Sequence, residues 1–146
     1  MEGVFTPLAL VSAVIAVSAM LVNFVIVAVR MPRLPDEVPS HYGLTGKPDA
    51  WMGKAIIWIF PGMSFMCLLL LGGTLTGMIM ELGESASRET EMACGMTAFI
   101  TVMTLVITIR AFAVAEKCAD GLGWWMTPVF AIGTILTPLC YYLARK

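Results

Sequence analysis

Leu34-Pro-Asp-Glu-Val-Pro-Ser-His-Tyr-Gly-Leu-Thr-Gly-Lys-Pro-Asp-Ala-Trp-Met-Gly-Lys54 is a polar stretch set between two long apolar segments, and it holds the single histidine of the chain. With Pro32 just ahead, Pro35, Pro39 and Pro48 forbid a regular helix here and bias each preceding residue toward extended geometry. Gly43 and Gly46 allow tight turns. On either side the sequence changes character. One charge-free run extends from Glu2 to Arg30 and another from Lys54 to Glu81, each exceeding the roughly 20 residues a helix needs to cross hydrocarbon. A polar insert between two such runs is an ordered cap joining two membrane helices.

The rest of the chain extends the pattern. Hydrophobic residues make up 59% and charged residues 13%, with a mean hydropathy of +0.87, far from the balance of a soluble domain. A third apolar run follows Glu91, interrupted by Arg110 and ended by Lys117, and a fourth extends from Asp120 to Arg145. The expected fold is all-α: one four-helix transmembrane bundle over residues 1–146, with spans near 7–29, 55–80, 92–115 and 124–143 and a structured loop cap at 30–54. The second helix is expected to start from Asp49 as N-cap and to be kinked by Pro61. The first span lacks the basic start and short apolar core of a secretory signal and reads as a retained helix. Four spans put both termini on one side of a cell (inner) membrane; the basic residues divide too evenly to choose which side. A net charge of -1 with no basic stripe argues against nucleic-acid binding. Cys67, Cys94 and Cys140 fall inside the spans, Cys118 in a loop, and with no CxxC pair they read as small packing residues.

Small and polar residues define the expected helix faces. Ser12, Ala16, Ala19 and Asn23 share one face of the first span, where Asn23 is expected to bond to a neighbouring helix or to contact a ligand. Gly73 and Gly77 form a small-xxx-small pair suited to helix packing or to a homodimer. In the third span Glu91, Cys94, Thr97, Thr101, Thr104 and Thr108 make one seam, either buried between helices or lining a cavity. Thr127, Ala131, Thr134 and Pro138 are the expected packing face of the fourth. Trp51, Trp58, Trp124-Trp125 and Tyr141-Tyr142 suit the headgroup zones.

The chemistry-bearing side chains gather in the cap. His41, Asp36, Glu37 and Asp49 supply one imidazole and three carboxylates: a hydrogen-bonded loop in which Asp36 and Asp49 cap turns, or a ligand site. His41, Asp36 and Asp49 would suit a divalent metal such as zinc or manganese. Lys47 and Lys54 reach lipid phosphates or pair with Asp49, and Arg110 either snorkels to the membrane surface or pairs with an acid of the cap.

The same residues carry a family likeness. Leu34-Pro-Asp-Glu-Val-Pro-Ser-His41, Gly46-Lys-Pro-Asp49-Ala-Trp51 and Lys54, followed by an apolar run with Pro61, resemble the first-loop signature of SdpI-related bacterial membrane proteins over about the first sixty residues. The resemblance implies an immunity protein that guards its producer against a secreted toxin peptide and signals through a partner protein at the membrane. The expected function is thus non-enzymatic binding of a peptide or protein through the cap. A membrane enzyme or metal site built on His41, Asp36 and Asp49, with Arg110 facing an anionic group, is the alternative. A small transporter using Asn23 and the threonine seam is a third reading.

Overall fold

The computed structural model describes residues 6–81 and 85–144. Four helices, α1 (Pro7–Arg30), α2 (Ile59–Glu81), α3 (Ser85–Ala115) and α4 (Met126–Ala144), carry a two-stranded antiparallel hairpin, β1 (Glu37–Tyr42) and β2 (Pro48–Gly53), between the first two of them in the chain. Pro7 opens α1 at a position where its missing amide costs nothing, and the Thr6 hydroxyl accepts the amide of Ala9 at 3.2 Å. Among the described residues three helical stretches, Pro7–Arg33, Lys54–Gly73 and Glu89–Ala115, are long and apolar enough to cross a membrane, and Met126–Leu139 is a shorter apolar helix. The predicted helical membrane bundle is the observed architecture.

Helices α1 and α3 run parallel and make the most extensive contact, with α2 packed antiparallel against α3. The contact is close because α1 offers Ala9, Ala16 and Ala19, all buried, to the threonine face of α3. Thr97, Thr101, Thr104 and Thr108 are buried, and each hydroxyl donates to a carbonyl of its own helix, for example Thr108 to Thr104 at 2.8 Å. Ser64 of α2 meets Thr104 at 2.6 Å and also donates to Phe60. The seam is therefore an interhelical one.

Several expected details fall elsewhere. The cap is a β-hairpin, because Val38 and Pro39 turn inward while Pro48–Gly53 pair with β1. Pro39 fits since it stands beside a register irregularity, where a missing donor is tolerated. Asp49 consequently lies in β2 and caps no helix; α2 begins at Ile59, reached through a 3-10 segment, Lys54–Trp58. Pro61 stands in the first turn of α2, where Ile59 donates to the carbonyls of Ile56 and Ile57. The face of α4 turned to α3 is rotated by one residue from the expected set: Met126 is buried, Phe130 stacks on Phe99 at 6.4 Å, and Gly133 lies against the Phe99 ring. Among the described residues, a Cβ on Gly73 would meet nothing within 4 Å. The surroundings of Gly77, Tyr141 and Tyr142, and the residues Arg145 and Lys146, lie outside the described set.

Glycine carries the joint between the hairpin and the α3–α4 loop. The amide of Leu122 donates to the Gly46 carbonyl at 2.8 Å, and Gly46 has a φ of +76°. A Cβ on Gly121 would collide with the Gly46 carbonyl, so the two backbones can touch only while both residues stay bare. Gly121→Ala is expected to lower stability by about 1–3 kcal/mol. Thermal unfolding in detergent, compared with an Ala substitution at the unconstrained Gly53, checks it.

Candidate functional site

The hairpin rests on the ends of three helices. Val38, Leu34 and Ile57 are buried together with Val27 of α1 and Ala111, Phe112 and Ala115 of α3. Removing each of the three from water contributes about 1.5–3 kcal/mol, enough to fix the hairpin as a body. Arg30 closes this cluster from above: its Nη2 lies 2.7 Å from both carboxylate oxygens of Glu116, and its guanidinium stands 5.0 Å from the centre of the Phe112 ring. The pair is partly exposed and contributes about 0–1 kcal/mol as an ion pair, with a comparable cation–π term.

The cap residues fall into two separate pairs. His41 Nδ1 meets Asp49 Oδ1 at 2.6 Å, with side chains 70% and 52% exposed. Lys54 bridges Asp36 Oδ1 at 3.2 Å and the Leu34 carbonyl at 3.5 Å, which ties the two ends of the hairpin together. Glu37 is exposed at the start of β1, opposite Gly53. Among the described residues no three metal-ligating side chains come together, so Asp36 does not join His41 and Asp49.

Arg110 and Asn23 stand apart from these pairs. Arg110 donates from Nε to the Leu122 carbonyl at 3.3 Å and from Nη2 to that of Gly121 at 3.0 Å. It therefore shapes the loop that receives the hairpin tip, and its partners are these two carbonyls and not a carboxylate of the cap. Asn23 is fully buried, and neither its Nδ2 nor its Oδ1 has a hydrogen-bond partner among the described residues. Ala9 lies with Cys94, Val27 with Ala111 and Phe112, and Arg30 with Glu116, which places Asn23 level with Thr108. The Thr108 proton is already given to Thr104, so the expected interhelical donation to Asn23 is not made.

A cleft of about 440 Å³ opens between the hairpin and the start of α2, lined by Ser40, His41, Met52, Ile56, Phe60 and Met63 among others. Its walls are mainly apolar, with His41 and Ser40 as the polar groups, a composition common to sites that take small apolar ligands or side chains. Beside it β2 is exposed at every residue but Pro48, and Trp51 and Met52 are half in solvent. Sequence patterning missed this cleft because one of its walls is the hairpin, whose strands the prolines disguised. The Arg30–Glu116 pair had a signal, a cation closing one apolar run and an acid closing another, which acquires meaning only once α1 and α3 are known to run parallel.

The geometry defines a multi-helix membrane protein with a small β-hairpin seated at one end of the bundle. Residues 19–65 match the model of a domain of unknown function, DUF1648, a family of membrane proteins; the match takes in the second part of α1, the hairpin and the first turns of α2. No curated protein and no solved structure matches the chain.

Tyr42 makes the hairpin sensitive to alkali. Its hydroxyl is buried without a partner among the described residues, and burial pushes its pKa up to about 12 from 10.0. Between these values the unfolded chain releases the phenol proton while the folded chain keeps it, so folding stability falls as pH rises through that window and is unaffected below it. Tyr42→Phe is expected to remove this part of the alkaline loss and to leave stability at neutral pH unchanged or slightly higher. Melting curves of both proteins at about pH 9 and about pH 11 test the difference.

Proposed function

We propose that this protein is a non-enzymatic membrane protein of the SdpI-related type that binds a peptide or protein partner through its hairpin. The observation that carries the reading is the cleft of about 440 Å³ beside an exposed strand. A hairpin whose inner face is packed and whose outer strand is free offers backbone donors and acceptors to an added strand, while an adjacent apolar cleft takes a side chain and supplies selectivity. Met52, Ile56 and Phe60 would receive that side chain, and the His41–Asp49 pair at the rim would meet a polar group of the partner. The resemblance of Leu34–Lys54 to the first loop of SdpI-related proteins supports a secreted toxin peptide as the partner.

The reading is tested in cells lacking the protein, challenged with toxin peptides secreted by neighbouring strains. Loss of the protein is expected to sensitise the cells, wild-type protein to restore survival, and Met52→Glu to fail to restore it while inserting at wild-type level. Unchanged sensitivity on deletion would sink the immunity role, and full rescue by Met52→Glu would remove the cleft from it.

A further inference from the structure

The turn of the hairpin, Gly43–Lys47, is bound to the beginning of α4. The Gly46 carbonyl accepts the Leu122 amide at 2.8 Å, and the Leu44 carbonyl accepts the Thr127 hydroxyl at 3.5 Å. Thr127 belongs to the first turn of a helix whose apolar course begins at Met126, so Leu44 lies at the depth where α4 enters hydrocarbon. The other helices mark the same level. Ser64 of α2 is bonded to Thr104, which sets Phe60, one turn earlier in α2, near Thr108, and Arg110, two residues further along α3, holds the loop just before Trp124.

At that depth the side chains are apolar and uncovered. Leu44 is 89% exposed at the tip of the turn, and Trp124 is 77% exposed at the start of α4. Exposed apolar side chains are common on any protein surface, but a leucine and a tryptophan at the level of lipid headgroups each find the surroundings they favour. Lys47 is exposed three residues further on, with an ammonium suited to lipid phosphate.

We infer that the hairpin tip is a lipid-binding element: Leu44, with Trp124 beside it, dips into the headgroup and acyl boundary and pins the hairpin flat against the bilayer. The cleft between the hairpin and α2 then opens toward lipid, because Ile59 and Met63 on its α2 wall are exposed residues of a membrane-spanning stretch. The inference is independent of any partner for the cleft.

Depth-dependent quenching tests it. The full-length protein carrying Cys118→Ser, which removes the exposed native thiol among the described residues, and Cys140→Ser receives Leu44→Cys or, as a reference, Asp36→Cys, whose native side chain is 97% exposed. Each is labelled with an environment-sensitive fluorophore and reconstituted into phosphatidylcholine vesicles. The label at 44 is expected to emit blue-shifted light, to be quenched several-fold more by doxyl-labelled phospholipid than the label at 36, and to resist aqueous iodide. Strongest quenching is expected from a doxyl group about 5–10 Å below the phosphates. Equal iodide quenching at both positions, with no effect of the doxyl lipid at 44, would overturn the inference. Because Leu44 packs on nothing, folding is not at risk; melting curves matching wild type confirm that the comparison is between native proteins.

Discussion

The close, parallel contact of α1 with α3 is the constraint on which the rest of the structure depends. Inside a bilayer, apolar side chains gain little by leaving lipid for one another, so two helices stay together through close backbone approach and satisfied polar groups. Ala9, Ala16 and Ala19 permit the approach, and the threonines opposite give their protons to their own helix and leave few dangling donors. That contact sets the register bringing Arg30 to Glu116 and Val27 to Phe112. It thereby builds the apolar platform on which Leu34, Val38 and Ile57 seat the hairpin. Had the two helices met one residue out of register, their faces would have turned by about 100° relative to one another, and the platform would not exist.

Asn23 is the exception within this contact. Burying an unpaired amide costs about 1–3 kcal/mol on the protein scale, and the surrounding alanine and threonine face tolerates it without supplying a partner among the described residues. Asn23 stands level with Thr108, whose own proton is already given to the Thr104 carbonyl.

What could be read in the sequence follows from how local each signal is. The apolar runs and the threonine seam are one-dimensional patterns, length in one case and helical period in the other, and the structure reproduces both. The hairpin was hidden because Pro39 and Pro48 are poor strand formers and break the alternating pattern by which short strands are read. Asp49 read as a helix cap for the same reason: it precedes a long apolar run, and only the pairing of β2 shows that the run does not become α-helical until Ile59. The cap carboxylates and His41 were legible as a group but not as pairs. Which acid meets His41 depends on the strand register, and Asp49 stands one step from the residue opposite it, whereas Asp36 lies at the base of the hairpin beside Lys54.

The rotation of the α4 face shows how the hairpin reaches into the bundle. From sequence alone, Thr127, Ala131, Thr134 and Pro138 form the smallest face and the natural one to bury. In the fold, Arg110 holds the carbonyls of Gly121 and Leu122, and the Leu122 amide is held in turn by Gly46, so the direction in which the chain enters α4 is set before its first helical residue. That direction buries Met126, brings Gly133 onto the Phe99 ring, and leaves Thr127 turned toward the hairpin, where it bonds the Leu44 carbonyl. A helix that packs chiefly on one neighbour has little to resist such steering. The polar insert between the first two spans thus determines which face the last helix presents to the bundle, through a backbone contact at Gly46 and Gly121 that only glycine permits and the bond from Thr127 to Leu44.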